Sequence, residues 1–440
     1  MKRASTTSQA SPKKKKRIEL PEYHATPSKL DAHGGRIWPA PKEQLEFAKA
    51  FIIEAARSAK RILIVPDKDT DGLSSGVILY RTLELLGASK DLINVHLVQK
   101  GNAVSSEAER QIITSKKPEY IFILDQGSRS CPPLSSEPHK AIVIDHHYAI
   151  EGDHPQGSTL VTACNSPPVA TSSLLTYTIC SDLHADVAEQ CNWLCIMGTH
   201  GDLGNTLKWE DPFPDMKDVL KRYTKKAIND AVGAINAPRR TAQYDVISAW
   251  DALLNAKEPT EILKNRRLNE ARLEIADEVE RVTHTAPKFS YDAKIAVFRI
   301  TSAAQVHPII ATRWAGHLQS PRLEIVLVAN DGYLPGQVNF SCRIPRCARA
   351  RDRPVNIIES LKAIAESSPS GTLVSRLGES FARGHKEASG GIVGKEEFEE
   401  LMTLMRVGEK PERMDKASPK KKSDVPKQKN TLTNYFGKTG

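Results

Sequence analysis

The sequence lacks the long apolar runs and the cysteine density that mark two large classes of protein. Hydrophobic residues make up 40% of the 440 residues, and no run approaches the ~18 apolar residues that a membrane-spanning helix needs. The polar start of the chain lacks the apolar segment of a secretory signal, so we expect a protein that binds no membrane and lies outside the oxidising compartments. The seven cysteines are then expected to be free thiols, with Cys191 and Cys195 as buried apolar residues.

The central part of the chain also lacks net charge, although the whole chain has a formal net charge of +9 at pH 7. The excess of Lys and Arg lies in two tails, residues 1–34 and 408–440, which are rich in Ser, Pro and Lys. Such tails bury too little apolar surface to offset the entropy lost on folding, so we expect both to be disordered. The neutral body by itself provides no electrostatic argument for nucleic acid.

A compact basic cluster in the first tail resembles the signals that nuclear import receptors recognise. It follows Pro12 and consists of Lys13, Lys14, Lys15, Lys16 and Arg17. We therefore expect a nuclear protein that binds an import receptor. The alternatives are a solvated run of charge or an arm that binds nucleic acid.

Three apolar residues interrupt the polar second tail: Leu432, Tyr435 and Phe436 share one face of a possible helical turn. They resemble the peptide that binds the sliding clamp (PCNA), in which Gln stands three residues before the aliphatic residue. Lys429 occupies that position here and Gln428 is one residue out of register, which departs from the pattern of the peptide. The alternative is a terminal segment that is merely sticky.

Short apolar segments alternate with helical patterns through the body and predict an α/β fold with a parallel sheet. Polar side chains follow three of these strands and the apolar helix predicted over 185–197, namely Asp67, Asp69, Asp71, Asp125, Asp145, His146, His147 and Asp202. Because ligands of parallel sheets bind outside the carboxyl ends of the strands, we expect these side chains to meet at one edge.

Taken singly, each of these aspartates is most simply a helix cap or a turn residue. Taken together, carboxylates at one edge repel one another unless a cation neutralises them. Mixed carboxylate and imidazole ligands suit Mn²⁺ or Mg²⁺ better than Zn²⁺. We therefore expect a divalent metal site at this edge.

These motifs, in this order, resemble those of the DHH phosphoesterase superfamily. The triple-Asp form of the first motif, with Val65 where other branches place His, is most similar to the RecJ nuclease branch. The resemblance implies that Asp69, Asp71, Asp125, His146 and Asp202 bind metal. It implies that His147 contacts the scissile phosphate or assists the leaving group, that Asp145 orients the histidines, and that Asp67 is a further ligand or a base. His200 lies outside the motif and is expected to be structural, or at most to support a metal ligand.

The second half of the chain resembles the DHHA1 domain, which binds the phosphate chain of the substrate opposite the metal site. The matching residues are Ser341 and Arg343 in a Ser-x-Arg strand, and Gly384, His385, Ser389 and Gly390 in a Gly-rich loop, with Arg383 where the family has a further Gly. An ordinary Gly-rich turn is the alternative for the loop.

A cluster of arginines follows the Ser-x-Arg strand and predicts a phosphate-binding surface rather than a solvated face, because guanidinium groups match phosphate oxygens. Its members are Arg343, Arg346, Arg349, Arg351 and Arg353. The cluster makes nucleic acid the favoured substrate despite the neutral body.

The expected organisation is a parallel-sheet DHH domain joined by a helical linker to a smaller α/β DHHA1 domain. The segments are a tail (1–34), the DHH domain (35–225), the linker (226–290), the DHHA1 domain (291–407) and a second tail (408–440).

The leading functional hypothesis is a nuclear, metal-dependent exonuclease on single-stranded DNA or RNA, bound to the sliding clamp in replication or repair. One alternative is an oligoribonuclease or a hydrolase of small phosphoesters. The other is a non-catalytic replication scaffold derived from RecJ, but a chain freed from catalysis has no need of every acidic residue in the motifs.

Overall fold

A computed structural model describes residues 26–349, 351 and 354–409 of the protein. The basic cluster at residues 13–17, Arg353 and the clamp-like residues Leu432, Tyr435 and Phe436 lie outside the described part, as does the side chain of His385.

The first domain is built on a five-stranded sheet in which every neighbouring pair of strands is parallel. A short hairpin of β1 (Lys29–Leu30) and β2 (Arg36–Ile37) precedes it. The sheet strands are β3 (Ile62–Pro66), β4 (Ile93–Val95), β5 (Tyr120–Leu124), β6 (Lys140–Asp145) and β7 (Ser158–Thr162). Their order is β4-β3-β5-β6-β7. The predicted parallel sheet is therefore confirmed.

Helices cover both faces of this sheet, which explains why β3 and β5 are buried at every residue. The helices of this region are α1 (Lys42–Arg57), α2 (Thr70–Leu85), α3 (Glu107–Ser115), α4 (Ser172–Ser181) and α5 (Ala185–Leu203). Alternate strand residues face opposite sides, so Ile64 and Phe122 pack in the core with α2 and α5. Val65 and Ile123 pack in the core on the other face, with Ile113 of α3.

A helical region follows the first sheet. It contains α6 (Lys217–Tyr223), α7 (Lys225–Asn236), a 3₁₀ turn (Pro238–Arg240), α8 (Val246–Asn255), α9 (Pro259–Lys264) and α10 (Arg266–Thr283). The predicted linker over 226–290 is not a free-standing connection, because α7 and α8 bury Ile228, Ile235 and Trp250 in the core of the first domain. The last helix, α10, reaches both domains: Leu268 belongs to the first core and Val279 to the second.

The second domain contains a six-stranded mixed sheet. Its strands are β8 (Lys288–Phe289), β9 (Ile295–Ile300), β10 (Ile325–Asn330), β11 (Gln337–Arg343), β12 (Arg383–His385) and β13 (Ala388–Gly394), in the order β12-β13-β11-β10-β9-β8. Of these, β9 and β10 pair in parallel, and the other neighbours are antiparallel. The helices are α11 (His307–His317), α12 (Ile357–Glu366), α13 (Leu373–Leu377) and α14 (Lys395–Leu404).

The structure also bears on the expectations for membrane-spanning helices and for the cysteines. Among the described residues, no helix combines the length and the apolar character that crossing a membrane requires. Cys191 and Cys195 are fully buried in the first core, as predicted, and burial raises the pKa of the Cys191 thiol to about 11.

Candidate active site

The turn between β3 and α2 places three carboxylates at the carboxyl edge of the sheet. Asp69 caps α2, its Oδ1 accepting hydrogen bonds from the backbone N–H groups of Asp71 and Gly72 at 3.1 and 3.3 Å. Gly72 allows the helix to begin close to the strand, because a Cβ at this position would lie 2.6 Å from the backbone oxygen of Asp67. The sequence Asp-x-Asp-x-Asp-Gly therefore packs its acids into a single tight turn.

Asp71 is fully buried, and both of its carboxylate oxygens accept hydrogen bonds. Its Oδ2 accepts a hydrogen bond from Ser172 N at 2.8 Å, and its Oδ1 accepts one from Ser173 N at 3.0 Å. These donors belong to the first turn of α4. The N–H groups of this turn have no partner within the helix, and together with the helix dipole they favour a negative charge. The neighbouring Asp125 follows β5 with φ +60° and accepts a hydrogen bond from Ser172 Oγ at 2.9 Å.

The histidine pair follows β6, whose last residue is Asp145. Asp145 Oδ1 accepts hydrogen bonds from His146 N at 2.7 Å and from His147 Nδ1 at 2.8 Å. His146 is turned into the site: its Nε2 lies 3.1 Å from Asp202 Oδ2 and 3.3 Å from Asp125 Oδ1. His147 keeps half of its side chain in solvent, with Nδ1 3.9 Å from Asp125 Oδ1.

Asp202 comes from a helix rather than from the segment after it, because α5 continues to Leu203. Gly198 makes this approach possible, since a Cβ there would lie 2.8 Å from Asp71 Oδ1 and would overlap Ser173. His200, on the same helix, packs away from the acids. Its Nδ1 lies 3.2 Å from Asn229 Oδ1, and Trp209 Nε1 donates to its Nε2 at 3.4 Å.

The site residues form three overlapping groups of possible metal ligands within the described part of the chain. These are Asp67, Asp69 and Asp125; Asp71, His146 and Asp202; and Asp125, His146 and His147, and within each group the ligand atoms lie within 4.8 Å of one another. All of the predicted ligands therefore meet at one place, and Asp67 stands among them.

The electrostatics of the cluster fit a bound cation. Burial, followed by the charge of Asp202, raises the pKa of Asp71 to about 6. Burial and the charge of Asp71 raise the pKa of Asp125 well above its usual value. The buried His146 Nε2 has no partner with hydrogen-bond geometry among the described residues. Oxygen-rich groups with one or two imidazoles suit Mn²⁺ or Mg²⁺, so these residues could hold such ions.

A second, positively charged cluster lies beside the acids. Arg239 Nη2 is 3.7 Å from Asp69 Oδ2. Burial, together with the charges of Arg239 and Arg343, lowers the pKa of the neighbouring Arg240 to about 9. Burial also lowers the pKa of His307 to about 3, with contributions from Arg240 and Arg343. The helical region, α11 and β11 thus bring Arg240, His307 and Arg343 together.

Contacts through the helical region hold the two domains around this cluster. Gln305 N donates to the backbone oxygen of Arg240 at 2.7 Å. Lys100 Nζ donates to the oxygens of Ala242 and Ala303, each at 3.2 Å, and lies 4.2 Å from the ring centre of Tyr333. The acidic cluster and the basic cluster therefore face the same cleft.

Comparison with known proteins agrees with this arrangement. Residues 61–199 match the DHH family, N-terminal domain. The chain carries a DHH-family domain.

Solved structures extend the likeness to most of the chain. RecJ in complex with Mn²⁺ from Thermus thermophilus is 19% identical with a TM-score of 0.57, over 84% of this chain and 55% of that one, so this chain spans about half of that RecJ. An exonuclease RecJ bound to manganese is 18% identical with a TM-score of 0.56, over 83% of this chain and 94% of that one.

A third similar structure is the DHH domain of a member of a family of ribosomal proteins, 14% identical with a TM-score of 0.59, over 84% of this chain and 92% of that one. No curated protein is a significant match to the sequence. The fold around the DHH-family domain is therefore RecJ-like.

The predicted Gly-rich loop opposite the DHH-family domain is a β-hairpin of β12 and β13. Its glycines serve close strand packing: a Cβ at Gly384 would lie 2.6 Å from the oxygen of Ala388, and one at Gly390 would meet the oxygen of Phe340. Gly390 pairs with Ser341, and His385 pairs with Ala388 through the backbone.

The pairing of β11 with β13 places the predicted substrate-binding side chains on opposite faces of the sheet. Ser341 and Arg343 share one face of β11, and Arg343 Nη1 donates to Ser341 Oγ at 3.0 Å. Ser389 pairs with Cys342, which belongs to the apolar core, so Ser389 lies on the other face. Its buried Oγ has no hydrogen-bond partner among the described residues.

The arginines at the end of β11 and after it make different kinds of contact. Arg343 belongs to the basic cluster in the cleft, whereas Arg349 Nε donates to Ile344 O at 3.4 Å and Arg351 Nη2 donates to Pro321 O at 2.9 Å. Arg346 is held through its backbone N–H, which donates to Ala315 O at 2.8 Å. These contacts stabilise the chain after β11, and Arg343 is the member of this arginine cluster that lies beside Arg240 and His307.

Sequence reasoning missed Arg239, Arg240 and His307. The adjacent arginines follow Pro238 in the stretch predicted as linker, and His307 precedes Pro308 at the start of α11. A pair of arginines outside the charged tails was the signal available for the first two. For His307 only the tertiary structure reveals its neighbours.

Proposed function

We propose that this protein is a metal-dependent phosphodiesterase that hydrolyses single-stranded nucleic acid in the manner of a RecJ-like exonuclease. The observation that carries the proposal is the pairing of two opposite clusters in one cleft. Overlapping groups of carboxylates and imidazoles lie beside Arg239, Arg240 and Arg343. A phosphodiester is a substrate that suits both clusters, because metal ions can polarise the phosphorus and guanidinium groups match the phosphate oxygens.

Two divalent cations are the cofactors that fit the acidic cluster. One group of ligands is Asp67, Asp69 and Asp125, and another is Asp71, His146 and Asp202, with Asp125 close to both. When bound, such ions would polarise the phosphorus and lower the pKa of water, so no protein nucleophile is required.

The protein's own groups position the substrate. His147 keeps its proton to a higher pH than usual: burial lowers its pKa, but the charge and hydrogen bond of Asp145 outweigh burial and raise it. As a half-exposed cation at the rim of the acids, His147 suits a phosphate oxygen or the leaving oxygen. Arg240 and Arg343 suit the non-bridging oxygens of the phosphates that follow.

The nuclear role belongs to the same proposal and rests on the tails. The basic residues 13–17 would bind an import receptor, and Leu432, Tyr435 and Phe436 would bind the sliding clamp. A protein with both features acts in DNA replication or repair. Calorimetry with the peptide 427–440 and with its Leu432→Ala/Phe436→Ala form tests clamp binding, because equal signals from the two peptides exclude it.

The test of the proposed activity is digestion of labelled single strands by the full chain with Mn²⁺ or Mg²⁺. DNA and RNA labelled at the 5′ or the 3′ end, from dinucleotides to long strands, are compared for the wild type, Asp69→Ala/Asp71→Ala and Asp211→Asn. Asp211 is a matched control because it is an exposed acid that pairs with Arg36.

Each result has a defined meaning. Shortening of long strands that the double variant loses and Asp211→Asn retains supports an exonuclease, and the labels report its polarity and sugar preference. Cleavage confined to the shortest substrates supports the alternative, an oligoribonuclease or a hydrolase of small phosphoesters. Absence of hydrolysis with both metals contradicts an enzyme and favours a scaffold.

A further inference from the structure

The loop after the histidine pair carries apolar side chains in solvent beside the acidic cluster. Tyr148 is 80% exposed and Ile150 is 59% exposed. Tyr148 directly follows His147, whose Nδ1 lies 3.9 Å from Asp125 Oδ1. Within the described part of the chain, the Tyr148 ring and hydroxyl make no hydrogen bond or ring contact. An exposed aromatic ring beside a site for a nucleic-acid phosphate can provide a platform on which a base stacks.

The backbone that carries Tyr148 is held on both sides. Before it, His147 N donates to Asp145 Oδ1 at 3.2 Å. After it, Ala149 is buried, and Ile150 N donates to Asp153 Oδ2 at 3.1 Å, which closes a turn. The ring therefore projects from a fixed base, and a tyrosine loses little conformational entropy when it is covered.

Two loops of the first domain approach the second domain: the loop after β5, which contains Arg129, and the loop that carries Tyr148. Arg129 Nη1 lies 3.5 Å from Glu379 Oε2 of the second domain. Arg383 of β12 interacts electrostatically with Arg129, Glu379 and the loop residue Asp153. The loop with Tyr148 thus runs from His147, beside the acidic cluster, to Asp153, which interacts with Arg383 of β12.

We infer that Tyr148 stacks on a nucleobase beside the scissile phosphate and so selects nucleic acid over phosphodiesters that carry no base. The inference rests on the proposed function and adds a residue that determines its specificity. Consecutive Cα atoms are about 3.8 Å apart, so the backbone that carries the exposed ring of Tyr148 lies directly beside His147. Stacking tolerates any base, because every base has a π face.

The test compares two strands of equal length with the full chain and Mn²⁺. One is an oligothymidylate, and the other has the same deoxyribose phosphate backbone with abasic residues. The variants are Tyr148→Ala, Tyr148→Phe and Leu273→Ala. Leu273 is a control for the loss of an exposed apolar side chain, since it is 66% exposed on α10. Both kcat and KM are measured, and binding of each fluorescent strand is followed by anisotropy.

Stacking predicts that Tyr148→Ala raises KM for oligothymidylate on the order of 10-fold with a smaller change in kcat. Tyr148→Phe keeps the ring and should resemble the wild type, as should Leu273→Ala. The abasic strand should bind the wild type and Tyr148→Ala equally. An equal effect of Tyr148→Ala on both strands, or no effect on oligothymidylate, overturns the inference.

The binding measurement separates this inference from the proposed activity. If the wild type binds oligothymidylate but hydrolyses neither strand, the proposed activity fails. The ratio of dissociation constants for Tyr148→Ala and the wild type then still decides whether the ring stacks. If the wild type neither binds nor hydrolyses oligothymidylate, both proposals are overturned.

Discussion

Asp145 Oδ1 accepts a hydrogen bond from His147 Nδ1 at 2.8 Å, and the same oxygen accepts one from the backbone N–H of His146 at 2.7 Å. One carboxylate therefore orients both members of the histidine pair. Burial raises the pKa of Asp145, but the charge and hydrogen bond of His147 outweigh burial and lower it, so this acid is ionised. The bond holds a proton on Nδ1 of His147, so the other ring nitrogen, Nε2, is the one left for a substrate oxygen.

Asp145→Asn should shift the pH profile of hydrolysis. The raised pKa of His147 comes from Asp145, so the variant should have a lower one. If protonated His147 contacts the phosphate, activity falls as pH rises through this pKa, and the alkaline limb moves to lower pH in the variant. We also expect kcat/KM to fall by about 10- to 100-fold. Asp211→Asn is the control, and an unmoved alkaline limb contradicts this role of His147.

Gly198→Ala should damage the site from within the core. The added methyl group would overlap Ser173 and lie 2.8 Å from Asp71 Oδ1, so α5 would have to move away from α4. We expect a loss of about 1–3 kcal/mol in the free energy of unfolding, as for other overpacked cores. Hydrolysis should fall as well, because Asp202 moves with α5.

Gly233→Ala is the matched control for that variant. Gly233 lies inside α7, and a Cβ there meets no atom within 4 Å. Because alanine favours the helix, this variant should gain about 0.5–1 kcal/mol in the free energy of unfolding. Urea denaturation of both variants decides the matter. Equal effects of the two substitutions would show that α5 does not pack against Asp71 as described.

Mn²⁺ should stabilise the folded chain, because it relieves the repulsion that raises the pKa of Asp71 and Asp125. Ion at about 100 times its dissociation constant adds about 2.7 kcal/mol to the free energy of unfolding. Thermal denaturation with Mn²⁺ and with EDTA measures this difference. Asp202→Asn should lose most of it and Asp211→Asn should retain it, whereas an equal shift in both would place the ion elsewhere.

His200 should make the fold sensitive to acid. Burial lowers the pKa of His200 to about 4, although the hydrogen bond to Asn229 raises it. In the unfolded chain the His200 imidazole binds a proton near pH 6.5, whereas in the folded chain it stays neutral to about pH 4. The contribution of His200 to stability is therefore present above pH 6.5 and is lost as the pH falls toward about 4. His200→Gln should therefore lose less stability than the wild type between about pH 7 and pH 5.

The measurement is urea denaturation at both pH values in EDTA, so that metal binding makes no contribution. His317→Gln, a substitution of an exposed histidine at the end of α11, is the control. Parallel losses in the wild type, His200→Gln and His317→Gln would show that His200 is not held as a neutral side chain by Trp209 and Asn229.

Local patterns in the sequence were sufficient for the acidic half of the site. Buried strands that end in Asp125 and Asp145, and a tight acidic turn after β3, converge because parallel strands end at one edge. The helix that carries Asp202 is longer than predicted. The apolar pattern predicted a helix to residue 197, and α5 continues to Leu203 because Gly198 fits against α4.

The tertiary structure alone decided the basic half of the site. Arg240, His307 and Arg343 come from three distant segments, and no periodicity links them. It also decided the role of the helical region, because α7 and α8 complete the first core only when folded against α2 and α5.

The hairpin shows the same division. The glycines at 384 and 390 were visible in the sequence, but strand pairing decided that they serve close packing and that Ser389 faces the core. Sequence by itself determines which chemical groups are present and which local element carries each one. Long-range pairing determines which of these groups meet, because the free energy of burying two distant segments together depends on both of them and not on the local pattern of either one.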